Sequence, residues 1–146
     1  MDIIKDTSNQ SDDINVNKAK ESNFRIINAA SDFVAYTDKI TSNKKSFPAY
    51  ARFTTVKYLR DTANEICRCL SDANAISDKT ITSLQKRLEY QEQAIRAIVY
   101  MLLLIERAQL DGYIDIKRRQ YWGAKALEIK KAVLCWYNTD RTRYKI

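Results

Sequence analysis

Basic and aromatic side chains alternate along residues 117–146, and together they have the chemistry of a phosphate- and base-binding surface. The basic residues of this segment are Lys117, Arg118, Arg119, Lys125, Lys130, Lys131, Arg141, Arg143 and Lys145. The aromatic residues among them are Tyr121, Trp122, Trp136, Tyr137 and Tyr144. Lysine and arginine neutralise phosphates, and aromatic rings offer flat faces to unpaired bases. The segment therefore predicts nucleic-acid binding, with Arg118–Gln120 and Arg141–Lys145 as the leading phosphate contacts.

The same basic and aromatic residues also fit roles that involve no nucleic acid. Basic residues near the C-terminus of a helix favour the helix dipole. A basic surface also suits an acidic protein partner, or serves solubility alone. Aromatic residues at helical spacing more often belong to a core, so Trp122 and Trp136 are expected to pack rather than to stack on bases.

Residues suited to catalysis are scarce. The 146-residue chain has no histidine, which removes histidine-based acid–base, nucleophilic and metal chemistry. Glu89 and Glu92 are carboxylates at helical spacing, but both neighbour basic residues and neither pairs with a nucleophile. Thr80, Thr82 and Ser83 have no partner such as histidine to activate them. We therefore expect no catalytic residue, no cofactor and a protein that is not an enzyme on its own.

The three cysteines, Cys67, Cys69 and Cys135, do not form a recognisable site. Two residues apart on a helix, Cys67 and Cys69 diverge by about 200° and cannot bridge each other. Without histidine or a further thiol pair, a zinc site is not expected. An odd cysteine count, behind an acidic and polar Met1–Gln10 that does not resemble a signal peptide, predicts a reduced, cytoplasmic protein.

Composition favours one all-helical domain. The chain has one domain's length, and 2 glycines and 1 proline are far too few for tight turns or glycine-rich phosphate loops. Residues 1–46 carry seven basic and seven acidic side chains, and residues 47–116 carry nine of each. The whole net charge of +7 therefore lies in residues 117–146.

Hydrophobic spacing predicts four helices. After a disordered tail over residues 1–20, a first helix runs from Glu21 to Ile40, with Phe24, Ile27, Ala30, Phe33, Val34 and Ile40 on its apolar face. The second runs from Pro48 to Ala75, with an apolar face of Phe53, Val56, Leu59, Ala63, Ile66, Leu70 and Ala73.

Capping residues define the two remaining helices. Asp78 is the expected N-cap of the third, which carries Ile81, Leu84, Leu88, Gln91, Ile95, Ile98, Leu102 and Ile105 and ends before Gly112. Asp115 caps the fourth, which ends near Asn138 and leaves a basic tail over residues 139–146. Residues 21–138 therefore predict an antiparallel up-down four-helix bundle.

Two helices carry more apolar surface than a monomeric bundle needs. Residues 97–105 (AIVYMLLLI) are uncharged all round the third helix, yet far shorter than the roughly 20 residues that span a bilayer. The fourth helix has two apolar arcs, one with Trp122, Ala126, Ile129, Val133 and Trp136, the other with Ile116, Gly123, Leu127 and Leu134. We predict a homo-oligomer in which the Trp-rich arc (Trp122, Ile129, Val133 and Trp136) meets another subunit. The alternative is one helix lying deep in its own bundle.

Several short motifs occur in a recognisable order. They are Phe47-Pro48, Arg52-Phe53, Leu59-Arg60 followed by Ala63 and Ile66, Ala73-Asn74, Asp111-Gly112-Tyr113-Ile114, Tyr121-Trp122 and Trp136. This order resembles the accessory variability determinant (Avd) family of diversity-generating retroelements, together with relatives encoded in intervening sequences of large-subunit ribosomal RNA genes. The resemblance covers residues 24–138. The chain departs from the family's pattern at Cys135, where glycine is frequent, and in its longer acidic N-terminal tail.

The resemblance implies a ring of five four-helix bundles with a basic surface. Such proteins bind the retroelement's reverse transcriptase and its template RNA or RNA/DNA hybrid, and they support the error-prone cDNA synthesis that feeds mutagenic homing. The protein would contribute no catalytic group. The alternative function is a protein-interaction module whose basic face meets an acidic protein partner and has no nucleic-acid role.

Overall fold

The computed structural model describes the backbone of residues 2–145 and the side chains of residues 22–145. Its elements are α1 (Asp2–Thr41), a 3₁₀ turn (Ala49–Ala51), a π-helical turn (Arg52–Val56), α2 (Lys57–Ala75), α3 (Ile81–Leu110) and α4 (Ile116–Tyr144). Residues 2–145 contain no β-strand. The all-α fold class is therefore confirmed.

The four helices pack as a closed bundle. Each helix lies against its neighbour in the sequence, and α1 against α4 completes the circuit. Contacts between α3 and α4 run in opposite chain directions: Leu102 faces Gly123, Glu92 binds Tyr137, and Arg87 binds Asp140. These two helices are therefore antiparallel, as the five-residue connection between them requires.

Capping residues set the ends of α3 and α4. Gly112 takes a φ of 85° just after α3, and the Asp115 carboxylate accepts a hydrogen bond of 2.8 Å from the Arg118 amide, so both predicted signals are confirmed. The predicted cap at Asp78 is wrong. Thr80 is the N-cap of α3 and accepts from the Ser83 amide at 3.2 Å. The Asp78 carboxylate instead accepts from the amide of Thr80, which lies two residues nearer the helix.

Two helices are longer than the sequence suggested. The α1 backbone begins at Asp2 and so includes the segment expected to be a disordered tail, whose side chains up to residue 21 lie outside the described part. No glycine or proline precedes Pro48, so no strong helix breaker interrupts α1. The basic tail expected from residue 139 is also helical as far as Tyr144. This last stretch of helix is held by Asp140, which is buried against Arg87 and Gln91.

The core is built from one apolar stripe of each helix. Its largest fully buried apolar side chains are Trp122, Phe33, Leu59, Ile66, Leu70, Ile98, Met101, Ile105 and Val133. Three predicted core positions are instead exposed: Phe24, where Ile26 faces the core, Ile81 at the first turn of α3, and Phe53. Phe53 lies in the π-helical turn, six residues before Leu59 and so about 120° from it around a regular helix, which places it outside the α2 stripe.

Candidate nucleic-acid interface

The structure distributes the predicted basic residues of α4 over three sides of that helix. At about 100° per residue, Arg118, Lys125 and Arg143 share the side that faces α1. Arg119, Lys130 and Arg141 share the side of Gly123 and Tyr137, which contact α3. Lys117 and Lys131 lie on the outer side, and Lys145 follows the end of the helix. The sequence therefore identified a basic helix but not a single basic patch.

A cluster of two cations and two tyrosines joins α1 to α4; we call Tyr36, Arg118, Tyr121 and Lys125 the seam cluster. Arg118 Nη1 donates a 3.0 Å hydrogen bond to Tyr36 Oη. Lys125 Nζ lies 5.1 Å from the Tyr36 ring centroid and 4.8 Å from that of Tyr121. The two rings are 5.5 Å apart. These contacts hold two positive charges beside exposed ring surface, which is the combination that nucleic acids bind.

A groove of about 620 Å³ continues from the seam cluster along α1 and α4. Its apolar wall includes Ile26, Phe33, Ile129 and Trp136, and its basic side chains include Arg25, Lys125 and Arg143. Arg87 and Asp140 also line the groove, but they neutralise each other in a buried bidentate pair. Asp32 and Glu128 are the remaining acidic residues along it. Three of the nine predicted cations, Arg118, Lys125 and Arg143, therefore lie along one continuous face.

Tyr36 and Arg25 are members of this face that the sequence analysis missed. Both lie on α1, far before the basic segment, in a stretch whose overall charge is neutral. Their proximity to α4 depends on the closure of the bundle by α1 and α4. The sequence correctly assigns Phe33 to the core. Their helical spacing from Phe33 places Tyr36 and Arg25 at the edge of the apolar stripe of α1, and this is the one sequence signal that could have found them.

The predicted subunit interface is wrong. Trp122 and Val133 are 0% exposed within a single chain, and Ile129 and Trp136 are also buried. The Trp-rich arc is therefore the core side of α4. Trp122 Nε1 donates a 3.2 Å hydrogen bond to Thr37 Oγ1 on α1, which fixes the arc toward the interior. For this arc, the alternative prediction of a helix that lies deep in its own bundle agrees with the structure.

The second arc of α4 is exposed instead, and it continues onto α3. Leu127 is 51% exposed and Leu103 is 59% exposed, with Ile116, Leu134 and Val99 also on the surface. A methyl group at Gly123 would lie 3.8 Å from Leu102 Cδ2, an ordinary van der Waals distance, so α3 and α4 are neighbours at this point. We call Val99, Leu103, Ile116, Leu127 and Leu134 the aliphatic face.

The thiols and carboxylates of the described residues form no cluster of metal-ligand type. No group of three or more Cys, Asp and Glu side chains that could hold a metal ion occurs within that part of the chain. All three cysteines are free. Burial and the neighbouring Glu65 carboxylate raise the pKa of Cys69 to about 11, which leaves little thiolate at neutral pH.

Comparisons with protein-family models, with curated proteins and with solved structures gave no match to this chain. Across residues 2–145, no helix combines the length and the apolar character needed to cross a bilayer.

Proposed function

We propose that this protein is a non-catalytic accessory factor of a diversity-generating retroelement, which binds template RNA and the reverse transcriptase. The observation that carries the RNA-binding part is the seam cluster together with the basic groove beside it. The retroelement assignment rests on the order of motifs from Phe47 to Trp136.

The groove face suits an RNA backbone because its cations are held in place. Arg118 is hydrogen-bonded to Tyr36, and Lys125 lies over two rings, so binding would immobilise few additional side-chain rotamers. Tyr121 is more than half exposed and offers a ring to an unpaired base. Each phosphate neutralised by these cations would release condensed counterions, so the affinity should fall steeply with salt.

The aliphatic face supports self-association through a surface different from the one first predicted. Covering the half-exposed Leu103 and Leu127 contributes roughly half of the 1.5–3 kcal/mol that full burial of a leucine side chain gives. We propose that copies of the chain associate through Val99, Leu103, Ile116, Leu127 and Leu134, and the resemblance implies five copies in a ring. Such a ring would multiply the basic grooves that one RNA can contact.

The role we propose is tethering. A scaffold that binds both template and polymerase raises the effective concentration of each for the other and needs no reactive group of its own. This agrees with a chain that has no histidine and whose buried Cys69 thiol has a raised pKa.

RNA binding through the groove can be tested with matched charge variants. One variant replaces Arg118, Lys125 and Arg143 with alanine, and its control replaces the exposed cations Lys79, Lys86 and Arg96 in and before α3, so both lose three positive charges. Fluorescence anisotropy with a single-stranded RNA across a salt series measures the affinity. We expect the groove variant to bind at least about tenfold more weakly, and its slope of log affinity against log salt to be smaller by about two. Equal losses in both variants would contradict a site at the groove.

The partner assignment needs a separate experiment. The tagged protein is purified from its native host across a salt series, and the bound protein and RNA are identified. Recovery of a reverse transcriptase with one discrete RNA would support the accessory role. Recovery of an acidic protein without RNA would replace it with the interaction-module alternative.

A further inference from the structure

The end of the bundle where α1 meets the short turns before α2 presents two aromatic rings to solvent. Phe53 is 79% exposed and Tyr50 is 75% exposed. Neither belongs to the seam cluster or to the aliphatic face.

Phe53 lies in a local departure from α-helical winding. Residues Arg52–Val56 form a π-helical turn, in which Phe53 is exposed while Val56 at its end and Ala51 before it are buried. Single π-helical turns are rare and are frequently found at functional sites. The exposed ring therefore belongs to an irregular turn rather than to a regular stretch of helix.

Tyr50 packs against a second ring, which in turn packs against a third. Its centroid lies 6.4 Å from that of Tyr113, which in turn lies 5.4 Å from that of the buried Phe47. Tyr113 follows Gly112, whose φ of 85° turns the chain after α3. The exposed ring of Tyr50 is thus the outer member of a packed aromatic row and loses little conformational freedom on binding a ligand.

The chain segment that carries these rings is basic. Residues 42–57 contain Lys44, Lys45, Arg52 and Lys57 and no acidic residue. Lys57 pairs with Asp61 at 2.6 Å, whereas Lys44, Lys45 and Arg52 form no ion pair with another of residues 22–145. Residues 1–46 and residues 47–116 are each neutral overall. These totals hide the cluster because Lys44 and Lys45 fall in the first segment, and Arg52 and Lys57 fall in the second.

We propose that this end of the bundle is a stacking site for unpaired bases of single-stranded nucleic acid. Phe53 and Tyr50 provide the ring faces, and Lys44, Lys45 and Arg52 bind the flanking phosphates. An acidic peptide would pair its carboxylates with the three cations, but it has no flat group to stack on the two exposed rings. Because α4 starts at this same end, a strand bound along the groove can continue onto it. The inference rests on the proposed RNA binding and names a second contact for it.

The test compares three variants of the full chain. Phe53→Leu keeps an apolar side chain but removes the ring, Phe53→Trp keeps a ring, and Phe24→Leu is the control because Phe24 is also a largely exposed phenylalanine. Circular dichroism checks that each variant is folded. The probes are a 20-nucleotide oligouridine, a 20-base-pair RNA duplex and a polyglutamate peptide of about 20 residues.

We expect Phe53→Leu to bind the oligouridine about tenfold more weakly, because a lost base stack costs roughly that factor or more. Phe53→Trp and Phe24→Leu should bind it like the unmodified chain, and the duplex affinity should not change in any variant. Unchanged oligouridine binding by Phe53→Leu would overturn the inference, as would equal losses for duplex RNA or for polyglutamate. Absence of any RNA binding by the unmodified chain would instead remove the proposed function itself.

Discussion

The two apolar arcs of α4 are similar in sequence but opposite in position. The arc of Trp122, Ile129, Val133 and Trp136 is buried, whereas the arc of Ile116, Leu127 and Leu134 lies on the surface. The buried arc is marked by polar partners on other helices. Trp122 donates to Thr37, and Asp140, on the same side of α4, binds Arg87 and Gln91. Polar contacts to α1 and α3 therefore distinguish the buried arc from the exposed one.

Replacing Trp122 with alanine should give the largest loss of stability on the buried arc. The substitution removes a fully buried indole and leaves the Thr37 hydroxyl without that contact, so we expect the free energy of unfolding to fall by about 3–5 kcal/mol. Urea unfolding at low protein concentration measures it. Leu127→Ala is the matched substitution on the exposed arc, and a loss as large as that of Trp122→Ala would erase the distinction between the arcs.

Replacing Asp140 with alanine should have a somewhat smaller effect. The carboxylate holds the mostly buried Arg87 guanidinium and the Gln91 amide, so its removal leaves a buried charge unpaired at a cost of about 3 kcal/mol. Asp72→Ala is the control, because the pair of Asp72 with Arg68 is exposed and should contribute less than about 1 kcal/mol. Equal losses from the two substitutions would show that Asp140 does not anchor α4.

Charging the exposed arc should change the stability of one chain least. In the double variant Leu127→Glu and Leu134→Glu, we expect the unfolding free energy of dilute protein to change by less than about 1 kcal/mol. Self-association should be lost, as measured by light scattering at micromolar concentration. Ile81→Glu, at an exposed apolar residue away from the aliphatic face, is the control. An unmodified chain of monomeric mass would show that this face does not pair.

Local spacing and capping were sufficient to predict most of the fold. The steps of three and four residues in α2 and α3, the turn at Gly112 and the cap at Asp115 all depend on neighbours within one or two helical turns. The assignment of the two arcs depends on partners far away in the chain, Thr37 for Trp122 and Arg87 for Asp140, which are 85 and 53 residues distant. No pattern within α4 alone contains that information.

The candidate site was predictable only in part, for a similar reason. The sequence correctly locates Arg118, Lys125 and Arg143 on one basic helix, but their association with Tyr36 requires α1 to pack against α4. Phe53 was assigned to the core because it precedes Val56 by three residues, although two successive steps of three residues place it about 120° from Leu59 around a regular helix. Winding irregularities of one turn leave too weak a signal in a single sequence to be found from periodicity.

The short connections of the bundle also determine where it opens most easily. Residues 42–56, 76–80 and 111–115 join helices that are consecutive in the chain, so those pairs close small loops at low entropic cost. Only the seam between α1 and α4 brings the first helix against the last, so closing it orders the whole intervening chain. Among the described residues, this seam is also the least extensive of the four contacts between neighbouring helices, and regions with few contacts open at lower free energy. We therefore expect the groove that we assign to RNA to widen around a strand without disturbing the α2–α3 core.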